Sequence, residues 1–201
     1  MTSISSELRS RKWVRDSFLI STDTSLVSVP ELNAAFASES FYWGKSLPEP
    51  VLKETLENSL CFALFDIGTT TIAAAEDLLR RIASTGSASD AGPSAETPRF
   101  LGFARLITDF TTFVFVTDVW VDPLTQGKGL GKWLVGCVQE VIQGMDYLRR
   151  SMLFTSDWER SVPFYEKLMN MELIESGAKE HGPAVMQMKW KGHPDYVEKK
   201  P

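Results

Sequence analysis

Residues 113–143 limit what this chain can fold into more than any other stretch. Phe113 to Val121 is an apolar, β-branched run that reads as a strand. Gln126-Gly127-Lys128-Gly129-Leu130-Gly131 follows, and an amphipathic pattern starts at its end. Leu130, Trp133, Leu134, Cys137, Val138, Val141 and Ile142 fall at i, i+3, i+4, i+7, i+8, i+11 and i+12, one apolar helical stripe. A strand, a glycine-rich turn and a helix in that order make a phosphate cradle. The first amides of the helix lack intrahelical partners, and the helix dipole adds about half a positive charge there. Glycine lets the backbone approach an anion closely.

Spacing excludes two familiar cradles. The dinucleotide fingerprint G-x-G-x-x-G fails, because its last position is Lys132 when counted from Gly127 and Leu134 when counted from Gly129. A Walker A loop at Gly44-Lys45-Ser46 would need glycine where Glu39 stands, so that tripeptide reads as an ordinary loop. What remains is Q/R-x-x-G-x-G/A, as Gln126, Gly129 and Gly131.

That pattern resembles the pyrophosphate-binding loop of the GCN5-related N-acetyltransferase (GNAT) superfamily, and its flanks agree. Asp118-Val119-Trp120-Val121-Asp122-Pro123 is similar to the family's fourth strand and its exit, and Phe164-Tyr165-Glu166-Lys167-Leu168 to its F-Y-x-K-x segment. The likeness is good over roughly residues 99 to 190 and loose in the N-terminal third. It implies an α/β (α+β) domain with a mixed, mostly antiparallel sheet, helices on both faces, and a splay between the family's fourth and fifth strands. It also implies acetyl-CoA as the cofactor.

Size and charge fit this reading. The 201 residues suit one domain spanning 1–201, with a flexible insertion at about 83–98 that is rich in Ser, Gly, Ala, Thr and Pro and serves as a surface loop or a lid. A net charge of −5 argues against a nucleic-acid binder. No apolar run approaches the ~18 residues of a membrane span, and Met1 to Asp16 has no signal-peptide core. A cytoplasmic protein, or one also found in the nucleus, is therefore expected. Cys61 and Cys137 read as buried thiols, and His181 and His193 stand apart, so no metal site is expected.

The remaining elements read in order. Trp13 to Ser21 is a first strand, Val29 to about Ser38 a short helix, and a second helix ends at Asn58. Ser59 to Asp66 is a strand buried on both faces, and Ala73 to Ile82 is helical. Phe100–Thr108 and Thr111–Val121 form a hairpin, and Met152–Thr155 and Val185–Lys191 are later strands. Ser161 is expected to cap a helix running to Met169, with Asn170 as its left-handed end.

By resemblance, residues Gln126, Gly127, Lys128, Gly129, Leu130, Gly131 and Lys132 hold the CoA pyrophosphate. Backbone groups of Val119 and Val121 pair with the pantetheine arm, and Ser156 lies at the strand break beside it. Lys128 and Lys132 either meet cofactor phosphates or are solvated. Tyr165 is either the general acid for the leaving thiolate or a packing residue. The glutamate that many relatives carry as base aligns with Thr117, which cannot accept the proton. Asp118 either binds or deprotonates the amine through water, or orients structure. Phe41, Tyr42, Trp43, Phe103 and Arg105 are the candidate acceptor contacts; the aromatics suit an apolar or cationic acceptor, Arg105 an anionic group. The expected activity is acetyl transfer to a primary amine, of a small molecule first, of a protein lysine or N-terminus second. A non-catalytic acyl-CoA sensor is the reading from another class. Dimers are common in the family, so a homodimer is compatible with it.

Overall fold

The computed structural model describes residues 3–85, 97–125, 127–174, 184–191, 193, 196 and 197. Gln126, His181 and most of the 83–98 insertion lie outside them. Helix α1 (Ile4–Leu8) leads into strands β1 (Lys12–Arg15) and β2 (Phe18–Ser21), then helices α2 (Val29–Phe36) and α3 (Glu49–Glu57). Strand β3 (Leu60–Asp66), helix α4 (Ile72–Thr85), β4 (Arg99–Thr108) and β5 (Phe113–Val121) follow. Then come α5 (Leu130–Gln143), β6 (Arg150–Thr155), α6 (Ser161–Met169), β7 (Glu172–Leu173) and β8 (Ala184–Lys189). The strands form one open, mostly antiparallel sheet in the order β1-β2-β3-β4-β5-β6-β8-β7, flanked by helices, with β5 and β6 parallel.

Two differences from the sequence reading have clear causes. The expected single strand Trp13–Ser21 is a hairpin, with Arg15 paired to Phe18 across a two-residue turn. Asp16 takes φ +53 there, a left-handed conformation that aspartate tolerates better than most residues. The expected cap at Ser161 is displaced upstream. Asp157 Oδ1 accepts from the Arg160 amide at 2.9 Å and the Asp157 carbonyl from the Ser161 amide at 3.1 Å, so Asp157 organises the start of α6. That amide bond, with the Arg160 side chain, holds the Asp157 carboxyl below its ordinary value against the opposing effect of burial. Asn170 ends the helix at φ +50, as expected.

The chain divides into two compact units, residues 1–104 with 120–134, and residues 105–119 with 135–201. The core of the first joins Leu19, Leu32, Phe36, Phe65, Leu79 and Phe103, with Trp120 packed against it. β3 supplies its centre, with six of seven residues buried, as its unbroken apolar run requires. In the second, Val114, Val116, Leu153 and Met186 are buried along alternating strand positions. Gln139 of α5 donates to the Met169 carbonyl of α6 at 3.3 Å and to Met188 Sδ of β8 at 3.6 Å, which ties both helices to that side of the strands.

Candidate active site

In the first unit, the Gly-rich turn leaves β5 through an Asp122-led turn. Asp122 Oδ1 accepts from the Leu124 amide at 2.9 Å, and the Asp122 carbonyl from the Thr125 amide at 2.9 Å and hydroxyl at 2.7 Å. Gly127 and Gly129 then take φ +86 and +68. A side chain is strained at such angles, so glycine at both is a requirement of the path. The Trp133 amide bonds back to the Gly129 carbonyl at 3.1 Å, so the amides of Leu130, Gly131 and Lys132 are the first-turn donors. Leu130, 2% exposed, anchors the turn in the core, a burial worth roughly 2 kcal/mol. A Cβ built on Gly127, Gly129 or Gly131 meets nothing within 4 Å beyond its chain neighbours and, at Gly131, the backbone of its own helix. The cradle therefore faces open space, and its donors fit an anionic group such as a pyrophosphate.

Arg15 escaped the sequence reading. Its guanidinium lies 4.6 Å from the centroid of the Trp133 ring, and its Nη2 donates to the Lys128 carbonyl at 3.2 Å. Lys128 Nζ sits 5.5 Å from the Phe18 ring. Arg15 and Lys128 thus flank the cradle with positive charge, while Lys132 is exposed on α5. Residues 113 positions apart carry no local signal of this contact; the two-residue hairpin that brings Arg15 there was itself unread.

The expected acceptor residues separate. Phe41 and Phe103, 2% and 0% exposed, are packed within the core, where a ligand would have to displace them. Tyr42 and Trp43 are exposed and meet edge to face at 5.0 Å. Their loop is tied down by Trp120, whose Nε1 donates to Ser40 Oγ at 2.8 Å. Elsewhere in this unit a cleft of about 420 Å³ is bordered by Lys53, Arg80 and Thr24 over Val27 and Leu56. Its cations are already paired, Arg80 with Asp23 and Lys53 with Glu49.

In the second unit, β5 pairs with β6 at only three positions, the last being Phe115 with Met152. β5 runs on through Thr117 to Val121 and β6 to Thr155, so the ladder ends inside both strands. The parting coincides with Asp118 at φ +52, which breaks the alternation of β5; Val119 and Val121 beyond it are half-buried. Asp118 Oδ2 accepts from Arg105 Nε at 2.6 Å, and Oδ1 from the Thr117 hydroxyl at 3.2 Å. Arg105 and Asp118 are thus brought together as an ion pair, 17% and 15% exposed. Tyr165 is buried in α6, edge to face with Phe164 at 5.2 Å, and Ser156 is exposed beyond β6.

Truncating Arg105 would leave a partly buried carboxylate unpaired at a strained backbone position. Arg105→Ala is therefore expected to lower the unfolding free energy by roughly 2–3 kcal/mol, read as a shift of the urea midpoint at constant slope. No shift of the midpoint would mean the pair is dispensable.

The family model described as "Acetyltransferase (GNAT) family" matches residues 94–171. A Gibberella zeae protein named "Putative acetyltransferase" is 34% identical over 147 residues, 73% of this chain and 76% of that protein. The chain belongs to the GNAT acetyltransferase family. Two solved structures share its fold at low identity. The Vibrio cholerae spermidine N-acetyltransferase in complex with CoA and spermine is 13% identical, covers 89% of this chain and 98% of its own, and superposes with a TM-score of 0.54. The Escherichia coli ribosomal-protein-S18-alanine N-acetyltransferase is 14% identical, with coverage of 90% and 99% and a TM-score of 0.53. The family uses acetyl-CoA.

Proposed function

We propose that this protein transfers the acetyl group of acetyl-CoA to the primary amine of a small molecule, by direct attack in a ternary complex. The observation that carries the reading is the turn at Gly127 and Gly129, whose left-handed path leads into α5 with open space beside both glycines. When bound, acetyl-CoA supplies an activated thioester carbonyl. The chain's own residues bind, orient and handle protons. First-turn amides of α5 hold the pyrophosphate, with Lys128, Lys132 and Arg15 adding positive charge. Backbone groups of Val119 and Val121 orient the pantetheine arm. The Tyr165 hydroxyl carries the proton that the leaving sulfur takes. Thr117 offers no base, so the amine proton leaves through ordered water, with Asp118 fixed by Arg105 as its orienting neighbour.

Calorimetric titration with acetyl-CoA, and with CoA lacking its 3′-phosphate, tests the cofactor site. Micromolar binding is expected; no binding of either would sink the reading. Arg15→Gln is expected to weaken binding about fivefold, the loss of one charge-assisted contact. Its effect on the dephospho form separates a 3′-phosphate contact, lost with that group, from a pyrophosphate contact, which persists. Unchanged affinity for both forms would return Arg15 to a purely structural stack on Trp133.

A further inference from the structure

The second unit presents two unlike faces. α5 and α6 lie against the face that carries Val114, Leu153 and Met186. On the other, the β5–β6 and β6–β8 registers align Phe113, Phe115, Met152, Phe154 and Val185. Phe154 is 57% exposed and Phe113 39% exposed, and Phe115 meets Phe154 edge to face at 5.1 Å. This apolar surface adjoins the place where β5 leaves β6. Thr117, at the position the family resemblance gives to the base, follows Phe115 by two residues, before the Asp118 kink.

We infer that the acyl acceptor is a monoamine with an aromatic or branched apolar body, and that this body rests on the Phe115–Phe154 face. The inference rests on the acetyl-transfer reading and narrows its substrate. Aromatic rings at this spacing favour an apolar or aromatic body and tolerate one ammonium over a ring face. The bordering charges oppose a polycation. Arg150 and Lys189 are paired in register at one end of the face, and at the other Arg105 and Asp118 neutralise one another. Against these two cations stand Glu172, which accepts from Gln187 at 3.2 Å, and Asp109, whose Oδ1 accepts from the Phe113 amide at 3.1 Å. A polyamine would need several carboxylates there and would meet as many cations.

Acetyl-CoA affinity is measured first, by calorimetry. Thiol release then compares 2-phenylethylamine with spermidine, for the native protein and for Phe154→Ala, with sedimentation of both. The expected kcat/KM for 2-phenylethylamine exceeds that for spermidine at least ~10-fold, and Phe154→Ala lowers it at least ~5-fold, mainly through KM. Acetyl-CoA affinity should hold, and Phe154→Tyr, which keeps the ring, should restore turnover. Because the side chain is more than half exposed, alanine should not unfold the protein. A preference for spermidine, an unaffected Phe154→Ala, or no turnover of either amine despite acetyl-CoA binding would overturn the inference. So would a native dimer that Phe154→Ala dissociates, since the face would then belong to a second copy. Absence of acetyl-CoA binding would refute the acetyl-transfer reading itself, and the inference with it.

Discussion

Tyr165→Phe is expected to bind acetyl-CoA as the native protein does and to turn over at least ~10-fold more slowly, approaching ~100-fold if proton delivery limits the step. The substitution removes one hydroxyl and keeps the ring. Tyr165 is buried beside Phe164, and the ring that packs there is kept. A residue that only packs would give a phenylalanine variant of native activity. A general acid would lose kcat and kcat/KM together, because its proton matters only as the sulfur departs. The same variant separates an enzyme from a non-catalytic acyl-CoA sensor, a reading that Thr117 at the base position would otherwise favour. A sensor would show no turnover in either form, with native acetyl-CoA affinity in both. Native turnover in Tyr165→Phe would remove the tyrosine from the mechanism.

The parts of this molecule that were legible in the sequence are those governed by local periodicity. The α5 stripe, the buried β3 run and the left-handed end at Asn170 each follow from residues within a few positions of one another. The glycine turn was legible for the same reason, since a path with two left-handed residues in three favours glycine there. What escaped depends on tertiary pairing. Asp16-Ser17 is a weak hairpin signal, so β1 and β2 read as one strand, and the arrival of Arg15 beside Trp133 could not be foreseen. Arg105 and Asp118 stand 13 positions apart on two strands, and alternation along a regular strand would set Asp118 on the face opposite Thr117. The left-handed φ of Asp118 breaks that alternation, and the pair forms where the periodic rule fails. Phe41 and Phe103 were candidate contacts because aromatic content does not distinguish a wall from a core; burial does.

Two loop substitutions should show whether the turn carries the diphosphate. Gly129→Val is expected to weaken acetyl-CoA binding about 100-fold or more while costing only ~1–2 kcal/mol of stability, the penalty of a β-branched residue at a left-handed angle. For a chain of this size that cost is a fall of roughly 2–8 °C in Tm. The asymmetry follows from the surroundings of Gly129. Its added Cβ would meet nothing within 4 Å beyond its chain neighbours, so the fold has no clash to relieve. The ligand side is where the change is felt. At φ +68 valine would either occupy the space the diphosphate needs or turn the loop so that the α5 amides point elsewhere. Gly131 supplies the internal contrast. It is not among the residues at positive φ, and its Cβ is equally unobstructed, so Gly131→Ala should hold acetyl-CoA within about threefold of native affinity. Two methyl-bearing substitutions two residues apart would then differ mainly in backbone angle and in side-chain bulk. Equal, small losses at both positions would mean that the turn does not carry the diphosphate, and that the cofactor is held by the strands.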